Sequence, residues 1–491
     1  MRDHLPALQV AIPLLAAPLS LFLRRPGVVR VWATGIAWVS LAIAITLLST
    51  TLETGAISYA LGGWEQPLGI ELRVDIANAF LAVIVTGIAS LVLPYGPGSA
   101  SLAIPESRQY LFYTAFLLCM TGLLGISVTG DAFNVFVFVE ITSLSSYTLI
   151  ALGKGRRALT AAFSYLVMGT IGGTFILLGV GLLYQMTGTL NMSDLAQRLE
   201  PVMHTRTVLL AFGFLVVGSS IKLAVFPLHQ WMPNAYTYAP SVVSAFLSAT
   251  ATKVSYFVLV RVVFTIFGAA FVFGTVHLEW LLLPLSVVAM FVGSIAAMYQ
   301  THIKRLLAYS SMAQIGYMTL GLSMNSQLGL AGGLVHLFNH GLMKGALFLV
   351  VANITYRLNS SRIEDMAGLG RKMPWTMLAF VVGGLSLIGV PGTAGFISKW
   401  YLVQASLDAG QWWLAALTLG SSLLAVGYVW KVVEVAYLKE PSAEVEDARE
   451  APFSMLWPTY VMVGATVVFG LWTEWTGQVA MKAAASLMGV E

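Results

Sequence analysis

The sequence predicts an all-α polytopic membrane protein of about fourteen transmembrane helices, with two inverted five-helix repeats and two broken helices, the seventh and the twelfth. Three observations carry that expectation. First, 58% of the 491 residues are apolar and 10% charged, with a mean hydropathy of +0.82, far from the roughly one-quarter charged of soluble domains. Second, apolar runs of about 20 residues, the helical length that crosses a ~30 Å hydrocarbon core, recur along the chain. They centre near residues 15, 40, 85, 119, 142, 173, 216, 253, 288, 314, 343, 389, 424 and 465. Third, the 26 Lys and Arg sort by loop. Loops after spans 1, 3, 5, 9, 11 and 13 hold Arg24, Arg25, Arg30, Arg108, Lys154, Arg156, Arg157, Lys304, Arg305, Arg357, Arg362, Arg371, Lys372, Lys439 and Arg449, whereas the other side has Arg2, Arg73, Arg198, Arg206 and Lys482.

Positive charge marks the cytoplasmic side, so both termini are expected on the non-cytoplasmic side, which requires an even number of spans. A multi-pass protein of a bacterial inner (plasma) membrane is the expected setting. The first run, Leu5 to Leu23, lacks a small-residue cleavage site and reads as a retained helix rather than a signal peptide. Cys119 is the only cysteine, which removes internal disulfides and thiolate metal sites. No cofactor, resident metal or nucleic-acid partner is expected.

Internal repetition has a spacing. Gly169-x-x-x-Gly173 is answered by Gly341-x-x-x-Gly345, Lys222 by Lys399, and Lys253 by Lys431, always about 172 to 178 residues on. Five spans apart means that the copies start on opposite sides, so the repeat is inverted, an arrangement of transporters. The expected organisation is residues 1–108 for spans 1 to 3, 109–268 for the first repeat, 269–440 for the second, and 441–491 for a loop and span 14.

The interruptions coincide with charge. In Lys222-Leu-Ala-Val-Phe-Pro227, followed by Pro233 and Pro240, proline frees a backbone carbonyl near the lysine. In Gly389-Val-Pro391-Gly392-Thr-Ala-Gly395-Phe-Ile-Ser-Lys399 the break precedes the lysine. Freed carbonyls at membrane depth need partners, with protein-lined water expected here. Charge inside a span survives mainly where it faces protein or a wet path, so Lys222, Lys253 and Lys399 mark ion handling. The bland alternative is a set of ordinary kinks with snorkelling lysines.

Glu140 is the matching anion, in the middle of Phe133-Asn-Val-Phe-Val-Phe-Val-Glu140-Ile-Thr-Ser-Leu. An isolated carboxylate there would be expelled or protonated, so a lysine on a neighbouring helix is its expected partner. A pair that opens and closes changes the lysine's proton affinity; a static pair would only join two helices. His336, His340 and Lys344 are spaced by four, which puts them on one helical stripe at about 6 Å per step. Histidine passes protons in either direction near neutrality, and the stripe reads as a wire. Metal binding by the two histidines lacks a third ligand, and structural hydrogen bonding is the remaining alternative.

These residues together resemble a known family. Glu140, Lys222-x-x-x-x-Pro-x-His229-x-Trp-x-Pro-x-Ala-Tyr-x-x-Ala-Pro240, Lys253, His336-x-x-x-His340-x-x-x-Lys344 and Pro391-Gly-Thr-Ala-Gly-Phe-Ile-Ser-Lys399 are similar to the antiporter-like subunits shared by respiratory complex I, membrane-bound hydrogenases and Mrp-type cation/proton antiporters. Within that family Lys399 and the string Trp231 to Pro240 look most like the D-type component of Mrp antiporters. The resemblance implies two inverted half-channels, with Glu140 and Lys222 as the input pair, His229 as a gate, Lys253 with His336, His340 and Lys344 as a hydrated axis, and Lys399 as the terminal relay. It also implies partners of the Mrp A, B, C, E, F and G kind, protons and monovalent cations as cargo, and no chemistry on a covalent substrate.

The resemblance leaves two functions open: a sodium/proton antiporter module, and a proton-pumping subunit of a redox-driven complex. A third reading, a proton-conducting partner of an inorganic-carbon uptake protein, is weaker. Among the remaining charges, Lys431 and Glu434 are expected as an intrahelical pair or a functional site, Arg261 as a snorkelling side chain, Asp131 as a helix cap, and Glu440 to Glu450 as a solvated loop. Trp280, Trp412, Trp413, Trp457, Trp472 and Trp475 fit interfacial belts.

Overall fold

The structure, a computed structural model, describes residues 4–490, and the side chains of all of these except 96–103 and 443–444. Arg2 lies outside the described residues. The chain opens with α1 (Leu5–Leu19) and α2 (Pro26–Thr54); Pro26 sits in the first turn of α2, where its missing donor costs nothing. Gly55, at φ 85°, ends α2.

The all-α expectation holds, with one short hairpin added to it. β1 (Ile57–Ala60) pairs antiparallel with β2 (Glu71–Val74), Ile57 opposite Val74. The buried Glu71 carboxylate accepts from Ser58 at 2.6 Å and from Asn191 at 2.6 Å, which fixes the hairpin to a later loop. Strands of four residues leave too little alternation to be read against such an apolar background.

Helices α3 (Ile76–Ala103), α4 (Gln109–Val128), α5 (Ala132–Ala151) and α6 (Arg156–Thr187) follow. Asp131 caps α5 as expected, its carboxylate accepting from the Asn134 amide at 2.7 Å. A short surface helix, α7 (Met192–Leu199), leads into α8 (Arg206–Leu223), which stops at Ala224, a non-glycine residue at φ 65°. The chain resumes as α9 (Trp231–Tyr238) and turns at Pro240 into α10 (Ser241–Val260), prolonged by a π-helical turn over Arg261–Ile266. Then come α11 (Ala269–Gly274), α12 (Glu279–Met298), α13 (Ile303–Ser323) and α14 (Gln327–Leu358). The last part contains α15 (Leu369–Lys372), α16 (Pro374–Ile388), a second break, α17 (Ala394–Asp408), α18 (Trp412–Leu438), α19 (Ala443–Glu446), α20 (Phe453–Leu471) and α21 (Glu474–Met488).

Twelve helices among the described residues are long and apolar enough to cross a membrane, two fewer than expected. The expected centre at 314 falls in α13, which is more polar, and the centre at 389 falls in the break between α16 and α17. The amphipathic α21 is a further departure. Its apolar side packs on α3 and α14, and Trp475, expected in an interfacial belt, touches the rings of Phe80, Phe338 and Phe469.

Burial sorts the helices. The most apolar window of α10 with its π-helical turn, and that of α14, are each 94% buried, against 39% for α6, α12 and α18. Two interior helices are thus enclosed by a rim. Helices α6 and α8 touch backbone to backbone at Gly172 and Gly218, where a Cβ on Gly218 would stand 2.7 Å from the Gly172 carbonyl oxygen; small residues are what allow such approach in membranes.

Several charges behave differently from expectation. Arg261 does not snorkel; it is nearly buried and held by the Asp75 carboxylate and the Asn78 amide oxygen, over the Phe257 ring. Lys431 ignores Glu434 and donates to the carbonyls of Met298 and Gln300, each at 2.9 Å, because those groups at the end of α12 have no helical partner. Lys304 is no loop residue: it lies buried in the first turn of α13 and donates to the Ala239 carbonyl at 3.1 Å. Glu450 leaves its loop to cap α16, accepting from the Trp375 and Thr376 amides.

Asp75→Ala should therefore destabilise the protein strongly, by about 3–5 kcal/mol, since it strands a nearly buried guanidinium. Asp75→Asn should cost less. Thermal unfolding in detergent measures both, and equal losses would show that charge at residue 75 is irrelevant.

Candidate functional site

The site begins where α5, α6 and α8 meet. Glu140 Oε1 lies 3.6 Å from Lys222 Nζ, and that ammonium donates to Ser143 Oγ at 2.6 Å. Ser143 stands three residues after Glu140, so one face of α5 presents both partners. The Lys222 side chain is 6% exposed and that of Glu140 27%, so the carboxylate reaches the rim of the bundle while the ammonium does not. Gly173 on α6 makes the room: a Cβ there would stand 2.1 Å from Glu140 Oε1.

The break after Lys222 is closed in part by protein. The indole of buried Trp231 donates to the Ile221 carbonyl at 2.9 Å, and its ring stacks on Tyr165 at 3.9 Å. Pro227 and His229 lie in the linker between α8 and α9. His229 is half-buried, stacks on Phe226 at 5.5 Å and faces Tyr309 at 6.5 Å. It makes no hydrogen bond to Lys222 or Lys253 among the described residues.

Lys253 on α10 is fully buried, with the Ser248 carbonyl and the Thr252 hydroxyl as partners. Helix α10 packs on α14, which carries His336, His340 and Lys344, to either side of Lys253, with a Cβ on Gly341 3.2 Å from the Ala249 carbonyl oxygen and one on Gly333 2.5 Å from the Tyr256 hydroxyl. The two imidazoles stack 5.9 Å apart, the step expected for one helical stripe. His336 Nδ1 lies 2.8 Å from Ser398 Oγ, whereas His336 Nε2 and both nitrogens of His340 have no protein partner among the described residues. Lys344 turns to α13, donating to the Leu307 carbonyl at 2.7 Å and to Ser310 Oγ.

The second break holds Lys399. Helix α16 ends at Gly389, φ 91°, and the linker through Pro391 and Gly392, φ 84°, leads to α17. The carbonyls left free at the end of α16, those of Leu387 and Ile388, accept from Lys399 Nζ at 3.1 and 2.8 Å. The same ammonium stands 4.7 Å from the centre of the Tyr317 ring, and Tyr317 is 5.4 Å from the His336 ring. The Tyr317 hydroxyl pairs with Ser421 at 2.6 Å.

The structure thus joins Glu140 to Lys222, and His340 through His336, Ser398 and Tyr317 to Lys399. Of Lys222, Lys253, Lys344 and Lys399, only Lys222 forms an ion pair among the described residues. Ser143, Ser310, Tyr317, Ser398 and Tyr256 were not singled out from the sequence. Ser143 and Tyr256 could have been, since each follows a buried charge by three residues; Ser310 and Tyr317 carry no such mark. Tyr256 points at α14, where a Cβ on Gly333 would stand 2.5 Å from its hydroxyl.

A helical bundle with two broken helices and a buried line of cations and imidazoles is an antiporter-like membrane subunit. The chain belongs to the NADH:quinone oxidoreductase/Mrp antiporter transmembrane family, whose pattern matches residues 129–425. It is 44% identical to NADH-quinone oxidoreductase subunit N of Desulforudis audaxviator, over 96% of this chain and 97% of that one. It is 31% identical to the D-type component of the Na(+)/H(+) antiporter of Alkalihalophilus pseudofirmus, over 99% and 97%. Among solved structures, a chain of the Mrp complex from Dietzia sp. superposes with a TM-score of 0.90 at 25% identity, covering 99% of this chain and 97% of that one.

Gly173→Ala should cost about 1–3 kcal/mol by driving a methyl into the Glu140 carboxylate. Gly181→Ala on the same helix, with nothing within 4 Å, should instead stabilise by about 0.5–1 kcal/mol. Melting curves in detergent compare the two; a neutral Gly173→Ala would mean that the carboxylate has room to retreat.

Proposed function

We propose that this chain moves protons across the membrane along the line from Glu140 to Lys399, as one subunit of a larger assembly. The observation that carries the reading is the run of buried groups through Lys222, Lys253, His340, His336 and Lys399, with imidazole nitrogens between the lysines that have no partner among the described residues. Holding an ammonium at the centre of a span costs about 2.5–3.5 kcal/mol on insertion scales, and three on one path are hard to explain as packing. In so dry a setting the charge on one group depends strongly on its neighbour's. Proton arrival at Lys222 while Glu140 is close, and departure when the pair separates, would pass each change on to the next group.

On this reading residues 109–268 and 269–440 form two inverted half-channels, one around each break, flanked by 1–108 and 441–491. His229 gates the first, Lys253 and the His336, His340, Lys344 stripe form the axis, and Lys399 is the terminal relay. The lysine and arginine distribution supports a bacterial plasma membrane protein with both termini outside the cytoplasm. The quarter-exposed Glu140 supports a neighbouring subunit that covers it.

What drives the protons has two readings. In the first the chain exchanges sodium or another monovalent cation for protons beside subunits of the Mrp A, B, C, E, F and G kind, which the relative from the Na(+)/H(+) antiporter of Alkalihalophilus pseudofirmus supports. In the second it is a pumping subunit of a redox-driven complex, which the 44% identical relative named NADH-quinone oxidoreductase subunit N supports at least as well.

The test uses the native assembly in sealed vesicles. Glu140→Ala, Lys222→Ala and Lys399→Ala should each lower proton movement about a hundredfold or more, the low end for loss of a proton-transfer group, with the assembly intact on native gels. Lys431→Ala should be milder. Normal rates in the Glu140 and Lys222 variants would remove the pair from the mechanism. A sodium pulse that moves protons without an electron donor supports the first driving force; dependence on a donor supports the second.

A further inference from the structure

We propose that a groove between α2, α3, α14 and α20 holds one acyl chain of a phospholipid whose anionic headgroup lies against Arg30. Two cavities that share Trp38 as a wall carry this. The first, about 530 Å³, is lined by Arg30, Thr34, Trp38, Pro94 and Ser454 at the basic end of the bundle. The second, about 290 Å³, meets it at Trp38 and runs inward past Gly87, Leu91, Phe338 and Phe469 to Trp475, with almost wholly apolar walls. Arg30 has neither an ion pair nor a hydrogen bond among the described residues, although the cavity beside it offers Ser454 as a further headgroup partner.

Size decides between occupants. Along α3 the inner cavity extends from Val83 to Leu91, about 12 Å at the helical rise, which with its volume leaves a mean cross-section of about 24 Å². That is the calibre of one hydrocarbon chain. A partner helix, about 10 Å across or more, would not enter it. The groove continues α3 on one face to Pro94 beside Arg30, so a chain anchored at the headgroup level lies along the inner cavity within its own leaflet, whose depth is about 15 Å. The far wall belongs to Phe338 and Leu342, which flank His340 on α14. The lipid would therefore touch the helix that carries the histidines, on its other side.

The test takes the full chain in its native assembly, reconstituted with phosphatidylglycerol or phosphatidylcholine bearing a photoreactive group on the same acyl chain. Adducts should concentrate on Val83 to Leu91 and Phe338 to Leu342, well above those on the lipid-facing α12. Gly87→Phe should remove most of them: residue 87 faces the groove, with no atom nearer than 3.9 Å to an added Cβ, so a side chain can start into the space there, and an unchanged melting temperature in detergent checks that the helices keep their places. Arg30→Gln should keep the fold and lower the preference for phosphatidylglycerol about fivefold, the effect of one basic residue at a membrane surface. Labelling equal on the groove and α12, or unchanged by Gly87→Phe, would overturn the proposal. Equal labelling of the unaltered protein by the two lipids would remove the headgroup from Arg30, and cross-linking of Leu91→Cys to another subunit's span would give the groove to a protein.

Discussion

A buried ammonium and an unpaired backbone carbonyl are each costly in hydrocarbon, and this protein repeatedly satisfies one with the other. Lys399 takes the carbonyls at the end of α16, Lys431 those of Met298 and Gln300 at the end of α12, and Lys304 that of Ala239 at the end of α9. Helix C-termini carry about half a negative charge each, so these lysines are met by partial charges rather than by acids. Breaking a helix therefore does more than bend it: it creates the seat for a cation. Among the described residues only Lys222 of the axis lysines uses a full negative charge, and its acid is the one that reaches the rim.

The two breaks have one topology and different chemistry. After α8 the Ile221 carbonyl accepts from both the Ala224 amide and the Trp231 indole, while Lys222 turns toward α5. After α16 the carbonyls take the lysine itself. Lys222 is consequently held by side chains, Glu140 and Ser143, that can change rotamer or charge, whereas Lys399 is held by backbone that cannot. The interior position of α10 and α14 places Lys253 and the histidines between these two unequal ends.

Most of the line was legible in the sequence because charge against an apolar background is conspicuous and helical spacing is regular. Glu140, the three lysines of the spans, the His336 stripe and both breaks needed nothing else. The residues that connect them were not legible: Ser310, Tyr317 and Ser398 are ordinary in transmembrane helices, and only tertiary packing makes them neighbours. Lys304 and Arg261 were misjudged for a related reason, since proximity to a span's end suggests solvent while the fold folds α9 and Asp75 over them. The hairpin of β1 and β2 and the amphipathic α21 carry too few apolar residues to stand out. Kinship divides in the same manner: the family pattern spans residues 129–425, and relatives named for a sodium/proton antiporter and for a quinone oxidoreductase each match nearly the whole chain.

Gly389 combines two duties in one residue. Its φ of 91° turns the chain out of α16, and a Cβ there would press on Lys399 at 3.0 Å from Cδ. Any heavier residue would strain the corner and crowd the lysine in a single step. Residues 389 and 399 are thus unable to drift independently over evolutionary time, and a lineage that replaced the lysine with a shorter acid would be released from half of that restriction. How freely this stretch can vary among descendants is set by a backbone angle as much as by the ion it serves.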